Sequence, residues 1–176
     1  MPLRYRDHRQ ADGLAGEHRL GDAGQLVLAL LFFSVWIADS FFFRFSTFLN
    51  EVAPLALRIP AGVILLASGL YLSRTGLAIV FGEKREKPVV IRKNVFGLVR
   101  HPIYLAELLL YAGLILLSMS LLSVGVAILA AVFLHRISRY EEKLLVERFG
   151  EEYKTYMTDV PMWIPRIRFS IKKVKA

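Results

Sequence analysis

Residues 102–134 read PIYLAELLLYAGLILLSMSLLSVGVAILAAVFL, and Glu107 is the only formal charge among these 33 positions. One helix of that length would extend about 50 Å, whereas the hydrocarbon core of a bilayer is about 30 Å thick. The run therefore exceeds one crossing, and its most polar part, SMSLLS at 118–123, marks the break. The sequence predicts two short membrane helices, over 102–118 and 121–138, that form a hairpin.

Two further apolar runs precede this hairpin, at residues 23–43 and 56–81. Hydrophobic residues make up 55% of the 176 positions, more than the roughly 45–50% that is typical of soluble domains. The four runs predict an all-α fold, a polytopic membrane helix bundle of about four transmembrane helices. We expect residues 1–22 to be a cytoplasmic N-terminal segment, and residues 23–176 to be a single membrane-embedded domain with a cytoplasmic C-terminal helical extension.

Lysine and arginine occur in blocks between the apolar runs. Of 23 such residues, four precede the first run, six lie between Phe81 and His101, and ten follow His135. Positive residues favour the cytoplasmic side, so the blocks predict an even number of crossings with both termini cytoplasmic. The net charge is +8, but the basic residues form no single stripe. We therefore expect membrane lipids as partners and no nucleic acid, with the basic tail IRFSIKKVKA, residues 167–176, on anionic lipid.

Small residues recur every seven positions in two of the predicted spans. Seven residues are nearly two helical turns, so each set stays on one helix face, where small side chains allow close backbone approach. We expect these faces to be packing surfaces. The two sets are Gly62, Gly69 and Gly76 in one span, and Ala106, Gly113 and Ser120 in the other.

The hairpin begins with the sequence RHPIY, residues 100–104, which we call the RHPIY corner. Pro102 suits the first turn of a helix, where its missing N–H is no loss. In that helix Tyr104, Glu107 and Tyr111 share one face. A carboxylate inside a membrane segment is costly and is usually functional, which makes Glu107 a candidate site residue. The alternative for Glu107 is an ion pair with Arg74 or contact with lipid headgroups.

The last predicted span continues into the charged sequence HRISRYEEKLLVERF, residues 135–149. We expect one unbroken helix to Phe149, with Gly150 as its cap. In that helix His135, Arg139 and Glu142 would share a face. The paired glutamates, Glu141 and Glu142, would then lie about two turns beyond the membrane, level with the RHPIY corner. The sequence thus predicts one cytoplasmic cavity between the two stretches, with an apolar floor.

Two stretches, FGLVRHPIYLAELL and EEKLLVERFGEEYKTYMTDVPMWIP, together resemble the isoprenylcysteine carboxyl methyltransferase family and its phospholipid methyltransferase relatives. Those proteins are integral-membrane enzymes that use S-adenosylmethionine. The resemblance covers about residues 84–166 and implies cofactor-site elements at 84–107 and 135–166. Two departures are Ala106, where relatives often have glycine, and VFGL before the corner.

The resemblance also implies roles for individual residues. Glu107 and Arg139 are the implied catalytic residues, and Arg136 is a further implied contact to substrate or cofactor. The implied cofactor-binding residues are Arg100, His101, Pro102, Tyr104, Glu141 and Glu142.

The implied reaction is methyl transfer from S-adenosylmethionine to a lipophilic acceptor that enters from the bilayer. The acceptor stays open among a prenylcysteine carboxylate, a phospholipid amine and a small hydrophobic molecule, and so does the oligomeric state. Two other readings are an NADPH-dependent membrane reductase of a sterol-like enone and a non-catalytic protein that retains the fold. No metal is predicted, because the sequence has no cysteine and its four histidines lack a metal-ligand spacing.

Overall fold

The computed structural model describes residues 19–82 and 88–165, and the regular structure in these ranges is entirely helical. Two short irregular helices, the π-helical turn Ala38–Phe43 and the 3-10 turn Phe48–Glu51, connect the first two long helices. The α-helices are α1 (Arg19–Ile37), α2 (Leu55–Gly82), α3 (Val95–Leu98), α4 (Pro102–Ser118), α5 (Leu121–Phe149) and α6 (Glu151–Asp159).

Three helical segments are long and apolar enough to cross a membrane: Gly21–Phe43, Leu55–Gly82 and Leu121–Phe149. The remaining predicted span, 102–118, corresponds to α4, a shorter apolar helix of 17 residues. This is the arrangement of a polytopic membrane bundle, with helix bounds within a few residues of those predicted. Of the predicted N-terminal segment 1–22, only the last four residues are described, and they begin α1; the basic tail 167–176 lies outside the described residues.

The glycine face of α2 packs directly on α4. A Cβ atom at Gly69 would lie 2.9 Å from the backbone oxygen of Ala106, and one at Gly62 would lie 2.9 Å from the side chain of Leu117. A Cβ atom at Gly113 would meet Leu66 at 2.8 Å, and one at Gly76 would meet Ile103 at 3.0 Å. Close helix contact at these small residues is therefore confirmed.

Ser120 does not belong to that packing face, contrary to the prediction. It follows the end of α4 at Met119, which adopts a left-handed conformation and turns the chain into α5. The Ser120 hydroxyl caps α5 by accepting from the Ser123 backbone N–H at 3.2 Å. It also donates to the buried Asp39 carboxylate at 2.5 Å. The polar break in the hairpin therefore supplies hydrogen bonds as well as a turn.

Asp39, on the π-helical turn, accepts hydrogen bonds from Ser120 and from Ser46. Besides Ser120, it accepts from the Ser46 backbone N–H at 2.9 Å and from the Ser46 hydroxyl. The Trp36 indole donates at 3.0 Å to Oγ of Ser118, the first residue of the same break. These bonds hold the C-terminal end of α1 against the turn of the hairpin. The RHPIY corner lies at the opposite end of α4.

α1 packs along the hairpin on two aromatic contacts. Near its beginning, Gly24 lies against the ring of Phe133 on α5, where a Cβ atom would overlap that ring. Deeper in the bundle, the buried Phe32 stacks on Tyr111 of α4 with ring centroids 3.9 Å apart. The side of α1 that faces α4 is therefore set by these contacts.

Candidate active site

The RHPIY corner is held in place by the chain that follows α6. The backbone N–H of Arg100 donates to the Pro161 carbonyl at 2.9 Å, and that of His101 donates to the Met162 carbonyl at 3.2 Å. We call residues 160–163 the C-terminal segment. These two bonds bring it alongside the corner, immediately before Pro102 begins α4.

Arg100 joins three parts of the structure through its guanidinium. Its Nε donates to Glu142 Oε1 at 2.7 Å, in an ion pair whose side chains are 9% and 3% exposed. Its Nη1 donates to the carbonyl oxygens of Met157, at 3.0 Å, and of Val160. Breaking a buried ion pair is strongly destabilising, because the remaining charge has no compensation. Arg100 thereby connects the corner to α5 through Glu142 and to α6 through Met157.

His101 lies between the paired glutamates. Its Nε2 is 3.3 Å from Glu142, and its Nδ1 is 3.6 Å from Glu141. The His101 ring stacks parallel to that of Tyr104, with centroids 5.6 Å apart, and the Tyr104 hydroxyl donates to Glu141 at 2.5 Å. The corner and the paired glutamates, which are about 40 positions apart in sequence, therefore meet in one cluster, as predicted.

Glu107 lies outside this cluster, one turn deeper on α4. Its two carboxylate oxygens accept from the Tyr111 hydroxyl at 2.5 Å and from the Gln25 amide at 2.6 Å. Gln25 belongs to α1, so Glu107 faces α1. The partners of Glu107 are therefore Gln25 and Tyr111, and not Arg74 of α2, which was the alternative ion-pair partner.

His135, Arg139 and Glu142 were predicted to share one helix face, but they differ in exposure to solvent. Glu142 is buried, whereas His135, Arg136 and Arg139 are exposed. The buried residues of this part of α5 recur every four positions: Leu134, Ser138 and Glu142. In the described part of the chain, Arg139 has no hydrogen bond or ion pair to the cluster.

Two buried polar atoms near the cluster have no hydrogen-bond partner among the described residues. One is the hydroxyl of Ser138, a residue that is 0% exposed and lies one turn before Glu142. The other is the indole Nε1 of Trp163, whose ring contacts His135 edge-on. Buried donors are normally satisfied, so such atoms are expected where a ligand completes the site. Sequence reasoning missed Ser138: its spacing of four from Leu134 and from Glu142 puts the three residues on one helix face, but it does not show that this face points inward.

α6 forms the back wall of the site with two buried tyrosines. Tyr153 and Tyr156 pack with Val160, and the Tyr156 hydroxyl donates to the Phe96 carbonyl at 2.7 Å. Burial raises the pKa of both phenols above the usual range, which further favours the neutral form of both side chains. They hold α3 and the C-terminal segment together as uncharged groups.

Comparison with known families identifies a family model that matches this chain. The model of the phospholipid methyltransferase family matches residues 49–152, more than half of the chain. That family comprises S-adenosylmethionine-dependent methyltransferases and is grouped with the isoprenylcysteine carboxyl methyltransferases, so the resemblance noted in the sequence is confirmed. The match begins earlier than expected and leaves out α1 and most of α6. Comparison with curated proteins gave no match.

Proposed function

Because the chain belongs to the phospholipid methyltransferase family, we propose that it transfers a methyl group from S-adenosylmethionine to a lipid acceptor beside the RHPIY corner. It is a membrane methyltransferase, and its cofactor is S-adenosylmethionine. The observation that carries the proposed site is the cluster of His101 and Tyr104 with Glu141 and Glu142. That cluster joins the two stretches on which the resemblance depends.

The groups around the cluster suit a charged, nucleotide-like cofactor. Carboxylates such as Glu141 can accept hydrogen bonds from ribose hydroxyls or from an ammonium group. Aromatic rings such as Tyr104 attract a cation by cation–π interaction. The Ser138 hydroxyl and the Trp163 indole, which have no hydrogen-bond partner in the described part of the chain, add two donors. The bound cofactor supplies an electrophilic methyl group on a positively charged sulfonium.

The proposed roles differ between residues. Arg100 is a positioning residue, since its guanidinium already donates to Glu142 and to two carbonyls. His101, Tyr104 and Glu141 are proposed to contact the cofactor, and Pro102 to start α4 so that these side chains converge. Catalysis would then rest chiefly on orientation and on exclusion of water from the reacting pair.

Two further residues are proposed to act on the acceptor. Glu107 has a carboxylate one turn below the corner and can accept a proton from an amine acceptor as a general base. Arg139 is exposed on α5 near the membrane boundary and can contact an anionic group of the acceptor or the cofactor. Neither Glu107 nor Arg139 contacts the cluster of His101, Tyr104, Glu141 and Glu142 through a hydrogen bond or ion pair between described residues, which supports separate roles for them at the acceptor.

The proposed orientation follows from the charge blocks. Four crossings, with α4 as a short one of about 26 Å, put both termini and the corner in the cytoplasm. The polar cofactor would reach the corner from water, and the lipophilic acceptor would reach it from the bilayer. Cysteine-scanning accessibility in intact cells would contradict this orientation if positions near Lys93 reacted with an impermeant reagent from outside.

Calorimetry on the full-length protein in nanodiscs tests the cofactor site. S-adenosylmethionine should bind and NADPH should not, and Glu141→Gln should weaken S-adenosylmethionine about tenfold or more, because a charged hydrogen-bond partner is lost. Glu147→Gln makes the same change on an exposed side of α5 and should leave the affinity unaltered. Preferential NADPH binding, or equal affinities in both variants, would refute the proposed site. Transfer of labelled methyl into a total lipid extract tests the reaction itself.

A further inference from the structure

A buried arginine lies at the end of the bundle opposite the RHPIY corner. Arg58, in the first turn of α2, is only 7% exposed. Its Nη1 donates to Asn50 Oδ1, and the Asn50 side-chain amide donates at 2.7 Å to the carbonyl of Ser118, the last residue of α4. Arg58 is therefore held at the level at which α4 ends.

The guanidinium of Arg58 has more donors than the described residues satisfy. A guanidinium offers five N–H donors, and Asn50 takes one of them. The buried Nε has no hydrogen-bond partner in the described part of the chain, and no carboxylate in that part forms an ion pair with Arg58. Asp39, a buried carboxylate at the same end, accepts from Ser46 and Ser120 instead. Because a buried cation without a counter-charge is unfavourable, an anion is expected beside Arg58.

The chain that precedes Arg58 presents an aromatic surface. Residues 38–54, which we call the α1–α2 connector, carry five phenylalanine side chains that are 60–80% exposed. They are Phe41, Phe42, Phe43, Phe45 and Phe48. An exposed apolar patch marks an interaction surface, and lipid surrounds a helix bundle of this hydropathy. The connector therefore fits the apolar part of a lipid.

The connector is irregular, yet its polar backbone groups have partners inside the protein. Lipid offers no hydrogen bonds, so non-helical backbone at membrane depth must be satisfied by protein. The Ser46 N–H donates to the Asp39 carboxylate at 2.9 Å. The Ser46 hydroxyl accepts from the Leu122 N–H at 2.9 Å, and the Ser46 carbonyl accepts from the Leu121 N–H at 3.4 Å. These bonds allow the connector to lie among lipids.

The length of α4 places Arg58 near lipid headgroups. The 17 residues of α4 rise about 26 Å, slightly less than the roughly 30 Å of the hydrocarbon core. With the RHPIY corner at one edge of that core, Arg58 lies within about one helical turn of the other edge. Arginine side chains extend toward headgroups over such distances, and local thinning of the bilayer accommodates a short helix. A lipid phosphate is thus the anion within reach.

We propose that Arg58 binds the phosphate of a phospholipid in the leaflet opposite the RHPIY corner, with the acyl chains of that lipid against the phenylalanines of the α1–α2 connector. Arginine suits this ligand, because its planar fork donates two parallel hydrogen bonds to phosphate oxygens. With Nη1 on Asn50, the fork is formed by Nε and Nη2. Since Nε is buried, the phosphate reaches it when the side chain extends toward the headgroups.

This site lies at the other end of α4 from the proposed cofactor site. It takes no part in methyl transfer, so it does not depend on the proposed function. The lipid bound there serves as the missing counter-charge of Arg58 and holds the α1–α2 connector in its leaflet.

Photo-crosslinking of the full-length protein in dodecyl maltoside, a detergent without phosphate, tests the site. Phosphatidylglycerol and glucosyl diacylglycerol probes share the same acyl chains with a diazirine near the glycerol, and labelled peptides are mapped by mass spectrometry. We expect phosphatidylglycerol to label residues 41–58 about tenfold more strongly, because only its phosphate forms the charge-assisted bonds. Equal labelling of these residues by the two probes, as expected if water satisfies Arg58, overturns the proposal.

Two variants and a control identify the group that selects the phosphate. Arg58→Met removes the guanidinium and should abolish the preference. Arg58→Lys should reduce it to about threefold, since an ammonium binds phosphate as a point charge without the fork. Arg44→Met makes the same change at an exposed arginine of the connector and should leave the preference unaltered. A preference that survives in both Arg58 variants, or that Arg44→Met also abolishes, refutes the assignment to Arg58.

Inorganic phosphate separates a lipid site from a site for free anions. In large excess over the lipid probe, it should leave the labelling of residues 41–58 by phosphatidylglycerol unchanged, because it lacks the acyl chains that pack on the connector. Complete competition by inorganic phosphate would show that Arg58 binds a free anion, and the assignment to a phospholipid would be wrong.

Discussion

Replacement of Arg100 by lysine tests whether this guanidinium holds the site together. Arg100 reaches Glu142 through Nε and two carbonyls, those of Met157 and Val160, through Nη1. A lysine keeps the charge but has one ammonium on a flexible stem, which cannot reproduce this fork of contacts. Arg100→Lys should therefore keep a cation near Glu142 and release the carbonyls.

The expected cost follows from the bonds that are lost. A hydrogen bond to a charged group contributes about 1.5–3 kcal/mol, and partial hydration of the released carbonyls offsets some of the two bonds lost. We expect the free energy of docking of the C-terminal segment to fall by about 2–2.7 kcal/mol, which is roughly a 30- to 100-fold larger open population.

Amide hydrogen exchange measures this population directly. The Arg100 and His101 amides donate to Pro161 and Met162, so they exchange only when the C-terminal segment detaches. In Arg100→Lys these two amides should exchange about 30- to 100-fold faster than in the wild type.

The matched control is the exposed Lys154–Glu151 pair on α6, which has a similar N–O distance of 2.6 Å but side chains that are 54% and 85% exposed. Because exposed pairs contribute little, Lys154→Ala should leave the same amides unchanged. Protection of the Arg100 and His101 amides at the wild-type level in Arg100→Lys would show that the segment docks without the guanidinium. The positioning role of Arg100 would then be wrong.

Three further predictions concern packing, the serine cluster and the cofactor contact. Gly69→Ala should lower the unfolding temperature in detergent through overpacking of about 1–3 kcal/mol, since the new Cβ would lie 2.9 Å from the α4 backbone, whereas Gly125→Ala, with open space, should not lower it. Asp39→Ala should lower the free energy of unfolding by about 3 kcal/mol, because it leaves buried donors unpaired. The affinity of the folded protein for S-adenosylmethionine should not change, and a changed affinity would contradict the separation of the serine cluster, at one end of α4, from the RHPIY corner at the other. Tyr104→Phe removes the bond to Glu141 and should weaken S-adenosylmethionine about tenfold in calorimetry; unaltered affinity would exclude that contact.

Much of the fold follows from local features of the sequence. The lengths of the apolar runs predicted four membrane helices, because a bilayer limits how many apolar residues one crossing can hold. The polar sequence SMSLLS predicted where the hairpin turns. The meeting of the corner with the paired glutamates was also predictable. Once α4 and α5 form a hairpin, helical rise alone brings residues 100–104 level with 141–142.

The rotation of each helix was decided only by tertiary packing. Lipid solvates apolar side chains on every side, so a membrane helix has no polar face that marks which residues point inward. For this reason the sequence did not distinguish Gln25 from Arg74 as the neighbour of Glu107, or place Ser138 inside and Arg139 outside. Close contacts at glycines such as Gly69, together with the hydrogen bonds of Asp39, set those rotations. Apolar length determined which residues form helices, and contacts between distant segments determined which side chains face the site.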